Sequence, residues 1–167
     1  MMKRPAVFVD RDGTINEQMG YINHVSRFTF LPGTAEAIKL LNIHRFLVIV
    51  ISNQSGVARG YFPIELVNEV HSRMKTMLEK EGAWVDAVYF CPHHPSGNVA
   101  EYRKACDCRK PATGMVRKAI DRFDIDLKSS YVIGDRLSDI EMAERLDLKG
   151  ILVRTGYGRG ESEYLLP

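Results

Sequence analysis

Five short apolar runs constrain this chain more than any other feature, because each stops at a residue suited to chemistry or to a turn. Residues 6–9 stop at Asp10, 46–51 at Ser52-Asn53-Gln54, 85–90 at Cys91, 131–133 at Gly134-Asp135, and 150–153 at Arg154-Thr155-Gly156. Runs this continuous, the second rich in β-branched residues, suit parallel strands covered on both faces. Between them lie stripes at helical spacing: residues 35–42; Ile64, Val67, His71, Met74 and Leu78; Met115, Val116, Ala119, Ile120 and Phe123; and Ile140, Ala143 and Leu146. The methionines and aromatic residues in these stripes read as core. Repeated strand–helix alternation predicts an α/β fold, a doubly wound parallel sheet, in one domain over residues 1–167. In such a sheet, ligands bind beyond the carboxyl ends of the strands. Asp10, Asp12, Ser52, Asn53, Asp135 and Asp139 are therefore expected to share one crevice.

Charge excludes some partners. The net charge is +2 at pH 7, so there is no global signal for nucleic acid or a membrane surface, and any anion site has to be built locally. No apolar run approaches the roughly 20 residues that cross a bilayer. Met1-Met2-Lys3-Arg4-Pro5 leads into a strand-like run without a leader pattern, which predicts a cytoplasmic protein. The catalytic parts fall in one domain without an obvious dimer helix, so a monomer is expected.

Two stretches break the rhythm. Residues 13–32 are irregular and could form a flap carrying Gly20-Tyr21. Residues 91–111 lack any period, and long irregular loops in compact domains are usually functional. The second holds all three cysteines, Cys91, Cys106 and Cys108, in the patterns Cys91-Pro92-His93-His94 and Cys106-Asp107-Cys108. Residues two apart on extended chain point the same way. Three thiolates and an imidazole suit a tetrahedral structural Zn²⁺, with spacing favouring His93 over His94. The loop reads as lacking a hydrophobic face, so the metal would fold it and aim Arg109 and Lys110 into the crevice.

Asp10-Arg11-Asp12-Gly13-Thr14 places two carboxylates at a strand end. One could attack phosphorus to give an aspartyl phosphate; the other could protonate the leaving oxygen and then activate water. Two carboxylates facing a phosphate need a cation, and Mg²⁺ is the natural one, with Asp135 as a further ligand. Ser52 could help to hold a phosphate, and Lys110 could neutralise the transferring phosphoryl. Taken singly, each element has an ordinary explanation as a cap, a turn or a surface charge. Their order along the chain is what carries the reading.

That order is DxDGT after the first strand, Ser after the second, Lys before a later helix, then Gly134-Asp135-Arg136-Leu137-Ser138-Asp139. It resembles the haloacid dehalogenase superfamily of phosphohydrolases over nearly the whole chain. The resemblance implies a Rossmann-like fold with little or no separate cap and a zinc loop at 91–110. It makes Asp10 the nucleophile, Asp12 the general acid/base, and Ser52 and Lys110 the phosphoryl clamps. Mg²⁺ would bind Asp10, the Asp12 carbonyl and Asp135, with Asp139 in support. CPHHP…CDCRKP, DRDGTIN and SNQSGVARG look like the heptose 1,7-bisphosphate 7-phosphatase branch, which serves lipopolysaccharide and surface-glycan synthesis. The related histidinol-phosphate phosphatases are the alternative. By this resemblance Gln18, Met19, Gly20, Tyr21, Ser52, Asn53, Gln54, Ser55, Arg109, Lys110 and Arg136 would touch a small phosphorylated sugar, with Arg109 suited to its distal phosphate. Ser52 stands where threonine is usual there, and Arg136 where lysine is expected. The sequence stops at Pro167, before that group's usual final strand and helix; a natural end there would remove an edge strand. A receiver-type signalling domain, the reading from another class, would carry its phosphoacceptor after strand three, where this chain has Cys91.

Overall fold

The computed structural model describes residues 3–165; Met1-Met2 and Pro167, noted above, lie outside them. Five strands, β1 (Ala6–Val9), β2 (Leu47–Asn53), β3 (Ala87–Cys91), β4 (Tyr131–Gly134) and β5 (Lys149–Leu152), form one parallel sheet in the order β3-β2-β1-β4-β5. The order reverses beside β1, and a crevice opens at such a switch point. All five expected strands are present, with ends shifted by three residues or fewer. Val85 and Asp86 fall outside β3; the Asp86 carboxylate accepts from the Val48 amide at 2.8 Å instead.

Side-chain alternation explains why the central runs are apolar throughout. Ala6, Phe8, Leu47, Ile49 and Ile51 face one core, and Val7, Val9, Val48 and Val50 face the other. The first core is closed by α4 (Gly114–Arg122) and α5 (Leu137–Arg145) through Met115, Val116, Ala119, Met142 and Ala143. The second is closed by α1 (Thr34–Ile43) and α3 (Ile64–Lys80) through Ala35, Ile38, Val70, Met74 and Leu78. The sheet is thus wound on both sides, as the sequence predicts. Two single-turn helices, α2 (Gly56–Arg59) and α6 (Gly158–Glu161), add to the set. Among the described residues no helix is long and apolar enough to cross a membrane.

Both irregular stretches are anchored. Ile15, Ile22 and Phe28 of the 13–32 segment are buried in the second core, so the segment is fixed to the domain at several points. The 91–110 loop is not without apolar contacts, contrary to the sequence expectation. Tyr102 packs on a small cluster of Val57, Phe62 and Val67, a partnership between α2, α3 and a distant loop that no local period reveals.

Candidate active site

The strand ends deliver the expected groups to one place. A cavity of about 450 Å³ is lined by Asp10, Asp12, Gln18, Gly20, Tyr21, Asn53, Ser55, Arg109, Lys110, Asp135, Arg136 and Asp139, and also by Arg59, Ser138 and Tyr157. Met19, Ser52 and Gln54, also expected at the substrate, are not among the lining residues. Met19 is turned toward Arg27, whose Nη2 lies 4.0 Å from its sulfur. Ser52 and Gln54 lie beneath the wall, where Gln54 Nε2 donates both to Ser52 Oγ and to Asp12 Oδ2, each at 2.7 Å. Ser52 Oγ is an acceptor in that pair, which leaves its own O–H to donate elsewhere.

Asp10 leaves β1 with its backbone N–H fixed to the Ile133 carbonyl at 2.9 Å, and its Oδ1 accepts from the Arg11 amide at 2.8 Å. Lys110 Nζ donates to Asp10 Oδ1 at 2.8 Å, to Asp139 Oδ1 at 2.6 Å and to the Ile51 carbonyl at 3.1 Å. All three of its hydrogens are engaged. Lys110 therefore locks two carboxylates to the end of β2 and acts on a ligand chiefly through its charge. Its own main chain is gripped by Asn53, whose side-chain oxygen accepts from the Lys110 amide at 2.9 Å and whose Nδ2 donates to the Lys110 carbonyl at 3.2 Å.

Asp10, Asp135 and Asp139 place carboxylate oxygens within 4.8 Å of one another. Three carboxylates and one ammonium leave two formal negative charges in a buried site. Burial pushes Asp10 up to about 6, opposed by Lys110 and assisted by Asp139 and Asp12. Burial also pushes Asp135 up to about 7 against the Tyr157 amide, which donates to its Oδ2 at 2.8 Å. Asp135 Oδ1 is buried without a partner. A divalent cation would meet that orphaned oxygen and cancel the excess charge, so the residues present fit one. Asp139 has both oxygens engaged, by Lys110 and by the Arg136 amide at 3.2 Å, which suits support rather than ligation. Gly13 is required at this point: its φ is +84°, and a Cβ there would collide with the Asp135 carboxylate.

Asp12 is held as a carboxylate. Arg11 Nη2 donates to both its oxygens at 2.9 Å, and Asn16 Nδ2 donates at 3.0 Å. Burial alone would raise its pKa; Arg11, Asn16 and Gln54 together outweigh that and lower it. Arg11 is itself buried, and its Nη1 lies 3.1 Å from His71 Nε2. Burial, then the Arg11 charge, holds His71 down at about 3, so it is neutral and accepts from the guanidinium. The sequence stripe marks His71 as one more inward position of α3; only the fold gives it this task.

The second cluster sits at the end of β3. Cys91, Cys106 and Cys108 are free thiols. Their sulfurs are 3.0 to 3.4 Å apart, and His93 Nδ1 is 3.3 Å from Cys108 and 3.7 Å from Cys91. The sulfurs converge more tightly than the edges of about 3.8 Å of a tetrahedron built on zinc–sulfur bonds of about 2.3 Å, so a small outward shift would seat an ion. Burial raises Cys91 and Cys108; in Cys106 hydrogen bonds from the other two thiols overcome its burial and lower it. These four residues could hold a metal ion, and His93, not His94, belongs to the set.

Arg136, exposed at the start of α5, has its guanidinium 4.1 Å from the centre of the Tyr157 ring. The stack holds the fork in place at the cavity rim. Tyr157 carries no motif in the sequence, and neither does Arg59 beyond its place in SNQSGVARG.

Comparison with known proteins points the same way as the geometry. The HAD-hydrolase-like family model matches residues 107–165. A D-glycero-β-D-manno-heptose-1,7-bisphosphate 7-phosphatase of Escherichia coli K12 is 42% identical over 153 residues, covering 91% of this chain and 80% of that protein. That of Haemophilus ducreyi is 42% identical over 157 residues, covering 93% and 86%. Among solved structures, D,D-heptose 1,7-bisphosphate phosphatase from B. bronchiseptica, complexed with magnesium and phosphate, superposes with a TM-score of 0.86. It is 34% identical, and the match covers 96% of this chain and 86% of that one.

Proposed function

The chain belongs to the haloacid dehalogenase-like hydrolases, in the family of the heptose bisphosphate phosphatases, and from that membership we propose that it removes the 7-phosphate of D-glycero-D-manno-heptose 1,7-bisphosphate through an aspartyl phosphate on Asp10. The observation that carries the mechanism is the buried Asp10–Lys110–Asp139 arrangement beside Asp135, at the floor of a cavity walled by arginines. We read residues 1–167 as one phosphatase domain with the 91–110 loop inserted. It acts as a cytoplasmic monomer in the synthesis of nucleotide-activated heptose for lipopolysaccharide or surface glycans. Thiols set for metal suit a reducing compartment.

Asp10, held at Oδ1, attacks phosphorus with its other oxygen. As the new P–O bond forms, the ester P–O bond breaks, and the leaving alkoxide takes a proton from Asp12. Asp12 takes that proton up from solvent as the substrate enters, because the approaching phosphate dianion raises its proton affinity against Arg11, Asn16 and Gln54. Water then attacks the same phosphorus, gives its proton to Asp12 and releases phosphate, restoring the Asp10 carboxylate. Mg²⁺, held by Asp10, Asp135 and the Asp12 carbonyl, would neutralise charge on the phosphoryl oxygens. The Ser52 hydroxyl and the Lys110 charge steady the phosphoryl, and Asn53 keeps Lys110 in register. Zn²⁺, held by Cys91, His93, Cys106 and Cys108, would fix the loop that carries Arg109 and Lys110. Gln18, Gly20, Tyr21 and Ser55 would meet the sugar, and Arg136 a substrate oxygen.

The test compares kcat/KM for both anomers of heptose 1,7-bisphosphate with that for histidinol phosphate, in Mg²⁺. At least one anomer is expected to be preferred by about 100-fold or more, the order that several polar contacts to a second phosphate provide. Preference for histidinol phosphate would overturn the substrate while leaving the Asp10 chemistry in place.

A further inference from the structure

Arg59 and Arg109 line the cavity that holds Asp10. Neither is in an ion pair among the described residues. Arg59 Nε and Arg109 Nη1 are both buried and meet no acceptor. Buried guanidinium hydrogens without an acceptor are costly, and such sites are usually completed by a ligand.

His94 sharpens the point. Its Nδ1 accepts from the Ser96 backbone N–H at 3.1 Å. Its Nε2 meets a second donor, Arg59 Nη2, at 3.1 Å. A neutral imidazole accepts at one nitrogen only, so two donors compete for one acceptor and one of them is left unmet. What Arg59, Arg109 and His94 lack in common is an anion offering several oxygens.

The loop builds this arrangement. Arg59 is the last residue of α2, and its carbonyl accepts from Asn98 Nδ2 at 3.2 Å. The Val99 amide donates to the Ala58 carbonyl at 2.9 Å. Gly97 passes so near that a Cβ there would lie 2.7 Å from the Ala58 oxygen. The loop that carries His94 and Arg109 is thus fastened along the helix that carries Arg59. The cavity's acids, Asp10, Asp12, Asp135 and Asp139, all follow β1 or β4, so two unpaired positive charges remain on the loop side, a match for a phosphate dianion.

We infer that Arg59, with the Nε2 edge of His94, completes beside Arg109 a subsite for the second, non-reacting phosphate of the substrate. This rests on the bisphosphatase reading above and adds to it two residues and a binding mode. The subsite selects bisphosphates by leaving buried donors unmet when a monophosphate binds.

The experiment measures kcat and KM for heptose 1,7-bisphosphate and for heptose 7-phosphate with wild type, Arg59→Ala, Arg59→Lys and His94→Asn. Arg59→Ala is expected to raise KM for the bisphosphate by about 10- to 100-fold, the worth of a charge-assisted contact. Its kcat is expected to move by less than about threefold, and its loss on the monophosphate to be much the smaller. Arg59→Lys should recover only part, since it restores the charge without the fork. Equal losses on both substrates, or no loss on either, would overturn the subsite. A wild-type enzyme indifferent to the second phosphate would bring down the substrate assignment itself, a separate result. Should Arg59→Ala fold poorly, as judged by thermal melting, Arg59→Lys and His94→Asn decide by the same ratio.

Discussion

Asp10→Asn is expected to keep its fold and to lose at least about 10⁴-fold in kcat, the scale on which removal of a covalent nucleophile is felt. An amide oxygen at the Oδ1 position still accepts from Lys110 Nζ and the Arg11 amide, so the local geometry survives. Burial and two neighbouring acids push the Asp10 carboxyl up to about 6 despite Lys110. Its charge is a burden on the metal-free fold, and neutralising it removes repulsion from Asp139 and Asp12. A thermal melt in chelator should therefore show no loss of Tm for the variant, while steady-state assays in Mg²⁺ show almost no turnover. Residual kcat within tenfold of wild type would move the nucleophile elsewhere.

Loss of the loop metal is the second large effect. Cys106→Ser, or zinc removal by a chelator with Mg²⁺ resupplied, is expected to lower kcat/KM by about 100- to 1,000-fold. It should also open residues 91–110 to proteolysis, because the metal supplies much of such a loop's folding free energy. The damage should divide unevenly. Lys110 keeps its two main-chain hydrogen bonds with Asn53, one donated and one accepted, and its contact with the Ile51 carbonyl, so part of its placement survives. Arg109 follows Cys108 directly and has an unpartnered Nη1, so its aim depends on the ion. The loss should then fall more on KM for a bisphosphate than on kcat. Tyr102, packed with Val57, Phe62 and Val67, gives the loop a second anchor and should spare the rest of the domain. A zinc-free protein of full activity and unchanged protease resistance would refute this role.

The fold was legible because its central strands are buried on both faces. Residues 6–9 and 47–51 have no polar position to blur the signal, and the strand ends announce the site. The acids and Lys110 were expected from the order of the motifs and the family it resembles, and the four loop ligands from their spacing. The wiring between them was not legible. Arg11 contacts His71 sixty residues on, and Asn53 clamps Lys110 fifty-seven residues on. Such pairs exist only after β1, β2 and α3 are brought together. The helix α2, four residues long, shows no period, and this concealed the Arg59 position. Ser52 and Gln54 were placed at the substrate by family resemblance; their joint hydrogen bonding with Asp12 beneath the wall, through Gln54 Nε2, was not legible. Met19 was placed there by the same resemblance, and its contact with Arg27 was not legible either.

The central claim is that phosphate passes through Asp10. The most direct measurement is the configuration at phosphorus after hydrolysis of a heptose bisphosphate whose 7-phosphate is made chiral with sulfur and oxygen isotopes. Attack by Asp10 and then by water is two in-line displacements, and net retention is the expected result. Inversion would mean a single attack by water and would contradict the account.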